Sequence, residues 1–307
     1  MVSLRGAMHG DPQKLASLIA SLIGLCARRL PEDVLTRLEE MRKAESVPEE
    51  GGSPLGRRIY DAMFTDLDMA AALNRPFCQD TGIIQFFVEA GTAFPLLGDL
   101  ENALREGVIR ATVDVPLRPN VVEIFDEKNT GDNTGTRIPW IDWELVPGKD
   151  SIRLFIYLAG GGCSLPGFAK VFTPLEGYEA AIQAVFDQIV HYGLNSCPPL
   201  LAGIGLGPSA DTAAKLSKKA LLRFIGARNS NLRAAELELQ MEKALNKTGI
   251  GPGGFGGKGS VMAVHIEQAG RHTAVLAAAL STGCWAHRRL LAEIRPDLSC
   301  AVLSHRE

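Results

Sequence analysis

Apolar residues recur every three to four positions from residue 12 to residue 46, a period that predicts helix. PQKLASLIASLIGLCARRL carries the first part of the pattern and PEDVLTRLEEMRKAE the second. VPEEGGSPLG reads as a loop, and a further helical pattern runs from Arg57 to Leu73. That helix is expected to stop at Asn74-Arg75-Pro76, because a proline disfavours helix in the residue before it. IIQFFVEAG, residues 83–91, is dense in β-formers and predicts a strand, and a helix is expected over 97–112. PLRPNVVEIF reads as loop with a short extended piece. EKNTGDNTGTRIPW is polar and turn-rich, and a loop of that length inside a compact domain is usually functional or mobile. DWELVPGKDSIRLFIYLAGGGC predicts two strands joined by a turn and ending in glycines.

The second half of the chain alternates in the same way. Helix is expected over 177–194, 209–224 and 230–247. NSCPPLLAGIGLG reads as a helix end, two prolines and a buried strand, and VMAVHIEQAG as an alternating strand after the glycine loop GIGPGGFGGKGS. No linker and no internal repeat divides the chain. The expectation is a single domain over residues 1–307, of class α+β. Its N-terminal part, 12–73, would be helical, followed by mixed strands and helices with glycine-rich loops.

Composition narrows the function without naming it. The chain has 307 residues, 46% hydrophobic and 22% charged, which suits a globular protein with a sizeable core. A net charge of −3 gives no electrostatic reason to expect nucleic acid or an anionic membrane as partner. No apolar run approaches the ~18 residues of a membrane span. MVSLRGAMHGDPQK lacks the apolar stretch of a secretion signal, so a cytoplasmic location is expected. Six cysteines are scattered with no C-x-x-C pair, and in a reducing compartment no disulfide framework is expected. Thiols that matter would then be metal ligands or nucleophiles.

Two glycine runs imitate known motifs. GIGPGG matches G-x-G-x-x-G but has a helix before it and a strand after it, the reverse of a dinucleotide site. GGKGS lacks the spacing and hydroxyl of a P-loop. Such glycines allow positive φ and close backbone approach. AGGGC, residues 159–163, allows the same and could offer backbone N–H groups to a carboxylate.

Three cysteines sit beside helix-breaking residues: Cys78 in RPFCQDTG, Cys197 before Pro198-Pro199, and Cys284 after Ser281-Thr282-Gly283. Soft thiolates suit zinc or an iron–sulfur cluster. The separations match neither a compact zinc finger nor a ferredoxin run, so spacing leaves both open.

RPFCQDTG, NSCPPLLAGIGLG, IGPGGFGGKGSVMAVHIE and STGCWAHRR resemble the iron–sulfur hydro-lyases of the class I fumarase and tartrate dehydratase family, from about Pro31 to Arg289. RPNVVEIFDEKNTGDNTG, AGGGCSLPG and CWAHRR look closest to its tartrate branch. The resemblance implies a [4Fe–4S] cluster held by Cys78, Cys197 and Cys284, whose fourth iron binds the substrate as a Lewis acid. By motif position it implies substrate contacts from Gln79 and Asp80, a carboxylate-binding Arg118, backbone donors at Gly161 and Gly162, and His272 near the site. Asp80 would orient or relay the proton. A β subunit would supply the remaining catalytic groups in an α2β2 hetero-tetramer, so this chain alone would be inactive. The implied reaction is dehydration of tartrate to oxaloacetate. The alternative within the family is interconversion of fumarate and malate, and outside it a non-catalytic scaffold binding zinc through the same cysteines.

Plainer readings stand beside these. Cys26 follows the apolar period of a helix and reads as core, and Cys163 could touch substrate or simply pack, with packing favoured. His265 reads as an ordinary strand histidine, and His287 as a surface histidine or one behind the ligands. Asp80 could simply cap the next turn, and Arg118 could be an exposed arginine beside prolines.

Overall fold

The computed structural model describes residues 11–47, 49 and 51–306. The N-terminal residues 1–10, read above for a leader, lie outside the described residues, as do Pro48 and Glu50 of the first predicted loop.

Asp11 starts the first helix, α1 (Pro12–Arg28): its carboxylate accepts the Gln13 N–H at 2.9 Å, and Pro12 takes the first helical turn. Leu15, Ile19, Ile23 and Cys26 form its buried face. Arg29 is extended and Pro31 follows, so the apolar stretch over 12–46 is two helices, the second being α2 (Glu32–Ala44). The third helix, α3 (Pro54–Leu73), begins three residues before its apolar pattern. Ser53 is the cause: its Oγ accepts the Gly56 N–H at 3.1 Å, and the proline fits the first helical position.

In chain order the further elements are β1 (Ile83–Gly91), α4 (Leu100–Asp114), β2 (Val122–Glu123), β3 (Lys128–Asn129), β4 (Trp140–Val146), β5 (Ile152–Ala159), α5 (Gly161–Ser164), β6 (Phe168–Phe172) and α6 (Gly177–Tyr192). They continue as β7 (Leu200–Gly207), α7 (Ala210–Leu221), α8 (Leu232–Asn246), β8 (Val261–Gln268), β9 (Leu276–Gly283), β10 (Arg289–Ile294) and β11 (Cys300–Val302). Mixed helices and strands make the α+β class plain.

The chain forms two compact units: residues 1–31, 70–158 and 288–307 in the first, 32–69 and 159–287 in the second. The first is built on a five-stranded sheet in the order β11-β10-β5-β1-β4. Helices α1 and α4 bury Leu15, Ile19, Leu104 and Val108 with Phe86, Val88 and Ile156 of the strands. At Gly107 a Cβ would come 2.6 Å from the Ile19 side chain, so glycine is required where the two helices cross. The predicted pair β4 and β5 are both strands but not neighbours. β1 lies between them, and β4 runs parallel to β1 along the sheet edge.

The second unit is built on a four-stranded sheet in the order β6-β9-β7-β8. β7 is parallel to β8 and antiparallel to β9. Its even-numbered residues Leu200, Ala202 and Ile204 pack with Val185 and Ile189 of α6 and Met241 and Leu245 of α8. Its odd positions Gly203 and Gly205 meet α7, where a Cβ would sit 2.3 Å from the Ser217 carbonyl oxygen and 1.9 Å from that of Ala213. The glycines of AGIGLG therefore let a helix lie directly on the strand.

The loop at 249–259 has the positive φ expected of its glycines, at 249, 251, 253, 254, 256 and 257. It closes around a side chain of its own unit. The carboxylate of Glu45, 1% exposed, accepts the N–H of Lys258 at 2.6 Å, of Gly259 at 3.3 Å and of Ser53 at 2.8 Å. The phosphate-like cradle thus holds an internal carboxylate. Among the described residues no helix is long and apolar enough to cross a membrane.

Candidate functional site

In the first unit, residues 74–82 connect α3 to β1. Phe77 is buried, Cys78 and Asp80 are half-buried, and Gln79 is exposed. Asp80 Oδ1 accepts the Gly82 N–H at 3.0 Å, the turn-capping bond the plainer reading expected. Asn120 Nδ2 also reaches that oxygen at 3.4 Å. Thr81 joins this loop to PLRPN: its Oγ1 accepts the Arg118 N–H at 3.0 Å and donates to the Arg118 carbonyl at 3.3 Å. Buried Asn133 adds a second layer. Its Nδ2 donates to the Arg118 carbonyl and to Thr112 Oγ1, both at 3.1 Å, and its Oδ1 accepts the Asn120 N–H at 2.7 Å. The polar NTGDNTG loop is therefore the brace that fixes Arg118's backbone while leaving its side chain exposed. Gln79, Asp80 and Arg118 are brought together on two loops locked to each other. An exposed guanidinium suits a substrate carboxylate, while the amide and the carboxylate suit a hydroxyl.

In the second unit, three quoted segments converge at one end of the sheet. Cys197 follows α6 through a 3-10 turn and takes a left-handed conformation, φ 54° and ψ 66°. Its carbonyl accepts the N–H of Trp285 at 3.2 Å, which places Cys197 beside the residue after Cys284. Ser196 Oγ donates to the Gly162 carbonyl at 3.0 Å, and Thr282 Oγ1 donates to the Cys163 carbonyl. So Gly161, Gly162, Cys197 and Cys284 share one corner. The nest expected of AGGGC does not form: among its glycines none has positive φ, and Gly161 and Gly162 open the single-turn α5 instead. Cys163 is buried, in keeping with packing. Burial also lowers the pKa of Lys218 on α7, an effect that Cys163 opposes.

His272 lies elsewhere. It is exposed in the loop before β9, with Nδ1 accepting the Ala274 N–H at 3.1 Å. Cys284 follows the other end of β9, and at ~3.3 Å per residue the strand spans ~23 Å. The fold of this unit does not bring His272 to its own Cys284. His287 is buried rather than on the surface, with Nε2 2.9 Å from the Leu221 carbonyl at the end of α7. His265 is a buried strand histidine, with Nδ1 3.1 Å from the Ala220 carbonyl. Cys26 is core as expected, and burial pushes its thiol up to about 12 against the pull of Arg288 and Arg289. Such a thiol stays protonated and is no ligand. All six cysteines lie among the described residues and none forms a disulfide.

Among the described residues no three His, Cys, Asp or Glu side chains stand as a group able to hold a metal ion. Cys78 belongs to the first unit and Cys197 and Cys284 to the second. Two observations nevertheless fit an anionic thiolate cluster. The donors are soft sulfurs at loops and strand ends, and the Cys197 carbonyl is bonded to the N–H of Trp285, the residue after Cys284. Arg288, buried in the first unit, has Nε and Nη1 with no acceptor. No sequence motif singles out Arg288, Glu45 or Asn133, or marks Thr81 as the link between the two loops. For Arg288 the signal was an arginine pair entering the apolar strand RRLLAEI, where charge is out of place unless it is used.

The family model described as fumarate hydratase (Fumerase) matches residues 16–293. The L(+)-tartrate dehydratase subunit alpha of Escherichia coli (strain K12) is 49% identical over 292 residues, covering 95% of this chain and 94% of that protein. The protein of the same name from Shigella sonnei (strain Ss046) matches to the same extent, 49% over 292 residues. With a match running almost from end to end, the chain belongs to the fumarate hydratase family.

Proposed function

We propose that this chain is the α-type subunit of a hydro-lyase that dehydrates L(+)-tartrate to oxaloacetate and water. The 49% identity over 95% of the chain to proteins named as α subunits of that enzyme carries this reading. Cys78, Cys197 and Cys284 hold one [4Fe–4S] cluster, and residues 1–307 act as one catalytic α region. When bound, the cluster supplies a Lewis acid for departure of the substrate hydroxyl. The rest is the work of side chains and backbone. The Arg118 guanidinium takes a substrate carboxylate through paired N–H···O bonds. The N–H groups of Gly161 and Gly162 donate where negative charge builds as the adjacent carbon loses its proton. Gln79 orients the hydroxyl by its amide. Asp80, held by the Gly82 N–H, relays the proton. The proton from one carbon and the hydroxide from the next leave as water, and the remaining enol tautomerises to oxaloacetate.

The base and further cations come from a β subunit in a cytoplasmic α2β2 complex. The family description favours one second reading, hydration of fumarate to malate. The test is a substrate panel on the α–β complex purified without oxygen, with iron and acid-labile sulfide measured alongside. Faster turnover of L-tartrate than of fumarate, with about four iron and four sulfide per α chain, is expected. Faster turnover of fumarate selects the second reading. Zinc with no iron or sulfide leaves only a scaffold.

A further inference from the structure

Arg288 is 1% exposed, where the chain enters β10, and its carbonyl accepts the Leu158 N–H at 3.1 Å. Its Nε and Nη1 are buried with no acceptor among the described residues. A buried guanidinium without a counter-ion is strongly unfavourable. The side chain instead lies over an aromatic face: Arg288 Cζ is 5.9 Å from the centroid of the Phe77 ring. That contact steadies both groups but leaves the in-plane N–H donors unused. Phe77 is itself buried, and the next residue is Cys78. Cys26 does not supply the missing anion, because its thiol stays protonated beside the two arginines. At 1% exposure the site is closed to a diffusing carboxylate, so the anion is a resident one.

We propose that Arg288 is a positioning residue of the iron–sulfur site: its buried N–H groups donate to the anion formed by the cluster and the Cys78 thiolate, and its stacking on Phe77 sets the Cys78 loop. This inference rests on the cluster reading above. It explains two orphaned donors and a charge deep in an apolar sheet with one partner.

The test uses the α–β complex purified without oxygen, as wild type, Arg288→Met and Arg288→Lys. Iron and sulfide content and the midpoint potential of the cluster are measured, with thermal unfolding as the control for folding. Removing a positive charge beside a cluster favours its oxidised form. Arg288→Met is therefore expected to lose half its iron or more, and to shift the potential of what remains to more negative values. Arg288→Lys keeps the charge but loses the fork, so it should retain iron with a smaller shift in the same direction. Wild-type iron content and potential in Arg288→Met overturn the proposal. Should that variant fail to fold, wild-type values in Arg288→Lys overturn it alone. A wild-type complex without iron and sulfide sinks the cluster reading and this inference with it, whereas a loaded wild type with unaffected variants sinks the inference only.

Discussion

Cys197 holds a backbone conformation that a residue with a Cβ rarely takes. Such strain persists where the surroundings demand it, and here it turns a thiol outward beside Trp285. Glycine takes the same φ and ψ without that cost. In metal-free protein, Cys197→Gly should thus be about 1 kcal/mol more stable than Cys197→Ala by urea titration. Equal stability of the two would show the strain to be absent, and both should lose the cluster. The prolines after Cys197 marked it in the sequence, but nothing local foretold its left-handed turn. Glu45 was wholly invisible, one of three glutamates in AESVPEE, with two of its partners at Lys258 and Gly259 far along the chain. Removing it leaves buried amides unpaired, so Glu45→Ala should cost about 2–3 kcal/mol, read as a lower urea midpoint with unchanged slope.

At the scale of elements, periodicity found the long helices and the strands β1, β4, β5, β7 and β8, but it left β6, β9, β10 and β11 unread and gave no strand partners. Alternation predicted β4 and β5 as successive strands, and it could not see β1 between them. One cue was present. A helix-length pattern, α4, separates β1 from β4, and a parallel pair needs such a crossover. The glycines of β7 were legible as a strand running into a loop, not as a seat for a helix. Their fit with α7 is tight enough to test: Gly205→Ala puts a methyl 1.9 Å from the Ala213 carbonyl oxygen. The helix must lift, at a cost of about 3 kcal/mol, and circular dichroism during thermal unfolding should show an earlier transition. The polar loop 127–140 was expected to be functional or mobile; its Asn133 instead braces the Arg118 segment. Asn133→Ala should raise KM for the dicarboxylate several-fold more than it lowers kcat.

For the whole molecule, the candidate residues were legible because the motifs carry them, whereas their distribution over two units was not. Proline and glycine punctuation revealed no linker, since the chain passes between the units without one: α3 itself runs from residues of the second unit into the first. The chain expressed without its proposed partner should bind iron yet turn over no L-tartrate, and activity should appear on mixing with the β subunit. The threading also orders events during synthesis. β10 pairs with β5, yet the whole of residues 159–287 is made between them. Until β10 leaves the ribosome, the first sheet stands with one side of β5 unpaired and part of its apolar face uncovered, while the second unit already has all its strands. The segment made earliest is thus among the last to become native, and for that interval the nascent chain is a substrate for chaperones.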